Sequence, residues 1–149
     1  MDGLKLSARG HYGLIAMAYL AQRETDGPIP IRTIATAEQI PDQFLEQILF
    51  AMRKAGLVTA VRGPRGGYTL SRPSDQITAG EVIKALEGPI APVDCLHAEV
   101  DDECCNKSET CTTKFVWEKL RDTMVSVLDN ITLREIVERG NPLIQLESK

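Results

Sequence analysis

Residues 41–71 read PDQFLEQILFAMRKAGLVTAVRGPRGGYTLS, and this stretch decides the fold. Phe44, Leu45, Ile48, Leu49 and Met52 recur at helical spacing, so a helix is expected with these side chains on its buried stripe. Pro41 suits the first turn of that helix, where its missing N–H would have had no partner. Arg53-Lys54-Ala55 places positive charge at the far end, which complements the helix dipole, and Gly56 is expected to cap it. Leu57 to Val61 is then β-prone, Gly63-Pro64-Arg65-Gly66-Gly67 is a strong turn, and Tyr68-Thr69-Leu70 is a returning strand. This is the pattern of a β-hairpin.

Just upstream, Ile31, Ile34 and Ala35 mark a shorter helix that ends at Ile40-Pro41. Two short helices followed by a hairpin with arginines at its turn describe a winged helix-turn-helix. An earlier helix is expected from Leu4 to Arg23, with Leu14, Met17, Ala18 and Ala21 on one face and Thr25-Asp26-Gly27-Pro28 ending it. Downstream, a helix from Thr78 to Leu86 is closed by Gly88-Pro89. A cysteine-rich, acidic loop from about Asp94 to Thr112 leads into a long helix from Thr113 to about Asp129. The fold class is therefore mostly α with a small β-hairpin wing, plus a long helix. Its expected organisation is a DNA-binding domain over 1–90, a sensor loop over 91–112, a dimerisation helix and C-terminal helix over 113–140, and a tail over 141–149.

The long helix carries Val116, Trp117, Leu120, Met124, Val127 and Leu128, followed by Ile131, which cover more than one face. One stripe suffices to bury a helix on its own domain, so the surplus calls for a second subunit. The expected assembly is a homodimer.

The net charge is −4, but it is unevenly distributed. Residues 1–72 hold nine Lys/Arg against six Asp/Glu; residues 73–149 hold eight against fifteen. A basic front half suits DNA contact by one end of the molecule. Hydrophobic residues make up 43% and charged residues 26%, and no apolar run reaches the roughly 18–20 residues of a membrane helix. No export signal precedes Leu14, so a cytoplasmic location without membrane contact is expected, where cysteines serve as ligands or reactive thiols rather than disulfides. A Ser/His/Asp set, a phosphate-binding glycine loop and an HExxH motif are all lacking, which argues against an enzyme.

The expected DNA-reading face follows from the buried stripe. Opposite it, near the helix start, lie Gln43, Glu46, Gln47 and Phe50. Gln pairs bidentately with adenine and Glu accepts from the cytosine amino group. Arg62 and Arg65 flank the hairpin turn, where an arginine can enter the minor groove or meet a phosphate. Arg53 and Lys54 are expected to contact the backbone of a double-stranded operator.

All four cysteines, Cys95, Cys104, Cys105 and Cys111, fall within seventeen residues. Thiolates bind iron–sulfur clusters and zinc. Zinc sites usually show CxxC knuckles, which this segment lacks, and the adjacent Cys104-Cys105 pair is poorly built to place both sulfurs on one metal. One of that pair is the expected ligand, Cys105 for its spacing to Cys111, with Cys104 as the alternate. The two histidines, His11 and His97, are the candidates for a fourth ligand.

The stretches LKLSARGHYGLIAM, FLEQIL, MRKAGLV, VRGPRGGYTLSRP and ITAGEVIKALEGPIAPV resemble the Rrf2 family of regulators, over about residues 4–128. Its branches include IscR, NsrR and CymR types. The resemblance implies a dimeric winged-helix repressor or activator with a long dimerisation helix. It makes Glu46 the match of a residue that, in IscR-like members, helps discriminate between operator classes, and Arg62 the wing arginine. It implies a cluster held by Cys95, one of Cys104/Cys105, and Cys111. The sequence departs from the IscR pattern in a longer first spacing and in Lys114, which replaces a histidine. In NsrR-type members an acidic residue of the first helix completes the site across the dimer, and His11 stands at that position. Mixed Cys/His ligation suits a 2Fe-2S cluster, with 4Fe-4S as the alternative. The CymR branch, which GPIAPV resembles, implies instead a repressor without a cluster, controlled by thiol oxidation, zinc or a partner protein.

Overall fold

The computed structural model describes residues 7–88 and 112–140. The first helix, α1 (Ala8–Gln22), starts later than the expected Leu4. Ser7 has an extended backbone (φ −68°, ψ 165°) and is the N-cap, its Oγ accepting from the Gly10 N–H. A helix cannot run through a residue in that conformation. Ser7 N–H also donates to Glu87 Oε1 at 2.6 Å, and its hydroxyl bonds the same oxygen. The start of α1 is thus fastened to the end of α4 (Ala79–Glu87).

The helix-turn-helix is α2 (Ile31–Glu38) and α3 (Asp42–Lys54). Gln39 ends α2 in the left-handed region (φ 55°), and the Ile40 N–H donates back to Ala35 O at 3.0 Å. Ile40 is buried, which anchors the turn. Pro41 is the N-cap of α3 rather than a residue of its first turn, and Ala55 is the C-cap, with Gly56 following it. Leu45, Ile48, Leu49 and Met52 are fully buried as the stripe requires, while Phe44 is half-buried and meets Tyr12 edge-on.

The wing pairs β1 (Val58–Val61) with β2 (Gly67–Leu70) in antiparallel register, Val58 opposite Leu70 and Val61 opposite Gly67. A one-residue bridge from Ile29 joins its other edge: Ile29 N–H donates to Tyr68 O at 3.0 Å, and Tyr68 N–H to Ile29 O at 2.8 Å. Gly67 makes this approach feasible, because a Cβ there would lie 2.3 Å from the Ile29 carbonyl. The wing is therefore tied to the body close to its turn, at Gly67 and Tyr68.

The core centres on α1, which packs on α3, α4, α6 (Leu133–Gly140) and β2. Met17, Leu20, Ile34, Ile77, Val82, Ile83 and Leu133 complete it. α4 carries a reciprocal cap, Thr78 Oγ1 accepting from Glu81 N–H while Glu81 Oε2 accepts from Thr78 N–H. Such a cap is worth about 1 kcal/mol. Residues 77–79 pair with 131–133: Ala79 N–H donates to Ile131 O and Leu133 N–H to Ile77 O, at 2.8 and 2.9 Å.

That pairing tethers the end of α5 (Lys114–Asp129) to the start of α4. A Cβ on Gly80 would lie 2.0 Å from Asp129 Oδ1, so the two helices touch there. Elsewhere α5 is poorly covered. It contains no buried residue, and Phe115, Val116 and Val127 are 67%, 43% and 55% exposed. No helix among the described residues is long and apolar enough to cross a membrane.

Candidate nucleic-acid interface and cysteine segment

The surface of α3 turned away from the core is polar at its start. Gln43, Glu46 and Gln47 are exposed, as are Arg53 and Lys54 at its end. Helical geometry sets Gln43, Gln47, Phe50 and Lys54 in line along the middle of this face, with Glu46 and Arg53 along one flank. Arg62 and Arg65 are exposed in the wing turn, which is closed by the Gly66 N–H donating to Gly63 O at 2.9 Å. The structure therefore brings all seven expected DNA-contacting residues to the recognition helix and the wing, with their side chains in solvent.

Charge is uncommitted on this side. Among the described residues Arg53, Lys54, Arg62 and Arg65 have no carboxylate within ion-pair distance, whereas Arg72 pairs with Glu81 at 3.0 Å and Arg134 with Glu138 at 3.0 Å. An unpaired guanidinium on an exposed turn keeps all its donors for an anionic partner, without first breaking an ion pair.

Arg9 was not singled out by the sequence. The packing of α1 on α3 sets it beside Glu46, Gln47, Phe50 and Lys54, on the rim of an open groove of about 880 Å³. It too has no carboxylate partner among the described residues. No local signal could have found it, since α1 reads only as a core helix and Arg9 reaches α3 through the tertiary fold.

Cys95, His97, Cys104, Cys105 and Cys111 lie outside the described residues, as do Pro89 and the tail over 141–149. Among the described residues no group of three His, Cys, Asp or Glu side chains is placed to hold a metal. His11 is described. It is exposed on the second turn of α1, its ring 5.7 Å from that of Tyr12. Its neighbour Gly10 lies against the Glu87 carboxylate, so His11 sits at the end of the fold where the chain leaves α4 toward the cysteines. Thr113 is the N-cap of α5.

The fold and the chain's relatives agree. A model of the Rrf2 family, described as an iron-dependent transcriptional regulator, matches residues 6–139. The chain is similar to the HTH-type transcriptional regulator CymR of Bacillus subtilis, 40% identical over 133 residues, which are 89% of either chain. It is also similar to the HTH-type transcriptional regulator IscR of Erwinia tasmaniensis, 35% identical over 141 residues, covering 95% of this chain and 83% of that one. Among solved structures, IscR of T. potens superposes with a TM-score of 0.75 at 38% identity, over 95% of this chain and 91% of that one. CymR of B. subtilis, a global cysteine regulator, superposes with a TM-score of 0.73 at 36% identity, over 92% and 98%. The chain belongs to the Rrf2 family: it is a DNA-binding transcriptional regulator and not an enzyme.

Proposed function

We propose that this regulator binds a two-fold symmetric operator as a homodimer, and that its affinity is set by an iron–sulfur cluster held by Cys95, Cys105 and Cys111 with His11 as fourth ligand. The observation that carries the reading is the gathering of all four cysteines within seventeen residues, directly before α5. The donor chemistry fits such a group. Three thiolates and an imidazole are ordinary cluster ligands, and the set's mixed character favours 2Fe-2S over 4Fe-4S. His11 supports the fit, being exposed at the end of the body where the cysteine segment begins. Cys104 and His97 are the alternates. Bound, the cluster would supply a link between segments that responds to redox state, iron supply or nitric oxide.

The chain's own residues divide the remaining work. Gln43, Glu46 and Gln47 read base edges in the major groove, Arg62 and Arg65 engage the minor groove or phosphates, and Arg53 and Lys54 hold the backbone. Regulators of this family bind DNA and are typically dimeric. Here Val116, Leu120, Met124 and Val127 form one stripe of α5 at i, i+4, i+8 and i+11, which is the face offered to a partner. Cys111, which would hold the cluster, stands two residues before Thr113, the N-cap of α5, so a bound cluster would bear on the start of that helix. The far end of α5 is hydrogen-bonded through residues 131–133 to the base of α4. A shift of α5 against its partner therefore resets the spacing of the two recognition helices, on which half-site binding depends.

The test is anaerobic purification followed by iron, acid-labile sulfide and visible-absorption analysis. Matched iron and sulfide with thiolate-to-iron bands, lost in Cys105→Ala, are expected. A colourless protein that cannot be reconstituted refutes the cluster. A second reading is then favoured by the 40% identity to CymR. In it the same cysteines act as thiols or bind zinc, and a partner protein conveys the signal.

A further inference from the structure

We infer that Phe50 is a specificity-determining residue that reads the 5-methyl group of a thymine, deepening the assignment of α3 as the recognition helix, on which the inference rests. Phe50 is 67% exposed, on a helix whose buried stripe is complete without it. It lies in the middle of the solvent face, in line with Gln43, Gln47 and Lys54. Seven residues separate it from Gln43, so it stands about 10 Å further along the axis, the span of about three base pairs.

A single exposed apolar side chain is ordinary on a protein surface. The surroundings make this one different. The groove beside it is rimmed by Arg9, Glu46, Gln47 and Lys54, and Arg9 and Lys54 have no carboxylate partner among the described residues. A protein-docking patch would be a contiguous apolar area of a few hundred Å². Here Phe50 is the one exposed large apolar side chain of the lining, set among amide, carboxylate and cationic groups and the smaller surfaces of Ala51, Ala55, Ala85 and Leu86. That mixture matches the floor of a DNA major groove, where thymine methyls are the apolar features and phosphates line both edges. Apolar side chains, Phe included, recognise thymine by contact with that methyl. In this arrangement Gln43, Glu46 and Gln47 read hydrogen-bonding edges, Phe50 reads a methyl further along, and Arg9 and Lys54 grip the flanking phosphates.

The experiment starts from a duplex enriched from random-sequence DNA by the wild-type protein. Each thymine is then replaced singly by deoxyuridine, which removes only the methyl group, and affinities are measured for wild type, Phe50→Ala and Phe50→Leu. One thymine per half-site is expected to cost the wild type about fourfold, the equivalent of one buried methyl. F50A is expected to bind the parent duplex more weakly, to be indifferent to uracil at that position, and to keep the wild-type melting temperature. F50L is expected to retain part of the sensitivity. If no uracil substitution affects the wild type, or if the same ones affect F50A equally, the inference is overturned. F50A binding with wild-type affinity also overturns it and leaves Phe50 to a protein partner. Failure to enrich any duplex would overturn the recognition-helix assignment itself, a result separate from a duplex that enriches but ignores the methyls.

Discussion

Replacing Gly67 with alanine should detach the wing from the body. The new Cβ would sit 2.3 Å from the carbonyl carbon and oxygen of Ile29 and 2.6 Å from Pro30 N, all backbone atoms that cannot swing aside. Relief requires the strand to retreat from Ile29, which breaks the two hydrogen bonds joining Ile29 to Tyr68. Losing both bonds costs about 2 kcal/mol net and keeping them against the clash about 1–3 kcal/mol, so either way the loss should be about 2–3 kcal/mol. For a chain of this length that corresponds to a melting temperature lower by about 7 °C. Circular dichroism at fixed protein concentration measures it. Arg62 immediately follows β1, whose last residue Val61 pairs with Gly67, so binding to an enriched operator should weaken as well. A G67A protein that melts within about 2 °C of wild type would refute the view that this close approach positions the wing.

Three further substitutions separate the parts of the account. Arg62→Ala should weaken operator binding by about tenfold and flatten its salt dependence while leaving the melting temperature unchanged, because the side chain is exposed and has no ion-pair partner among the described residues; a gel-shift titration at two salt concentrations checks both effects. Ser7→Ala removes the cap of α1 and its bond to Glu87, and should lower stability by about 1 kcal/mol in a denaturant titration. Val127→Asp puts a charge into the proposed dimer face at a site 55% exposed in the single chain; sedimentation should show a monomer of unchanged helix content where the wild type is a dimer.

What the sequence revealed depended on how local its signals were. The α3 stripe and the Gly63–Gly67 turn are local, and both stand where the spacing placed them, with β1 and β2 differing by one residue at their starts. The face of α1 was only partly legible. Met17 and Ala21 are buried, but Leu14 and Ala18 are half-covered, while Ala16, Tyr19 and Leu20 are buried. The cause is that α1 is enclosed by α3, α4, α6 and β2, so a single stripe does not describe it. The Ile29 bridge was hidden by Pro28 and Pro30, which argue against a strand on either side of it.

The DNA face shows the same division. Gln43, Glu46 and Gln47 follow from the α3 period, and Arg62 and Arg65 from the turn, because each is a consequence of a neighbouring pattern. Arg9 belongs to a helix whose period points into the core, and only the packing of α1 on α3 places it beside Lys54. For the cysteines, their clustering in sequence is the signal, and the structure adds that His11 neighbours Gly10, which lies against Glu87 at the end of α4.

The most direct test of the account is the operator affinity of one anaerobic preparation before and after its iron is removed and then restored. A cluster that biases the dimer through α5 predicts a reversible change of about 5- to 150-fold, the usual range of coupling between two sites. Equal affinity in the loaded, stripped and restored states would contradict it, leaving a DNA-binding regulator whose cysteines answer to something else.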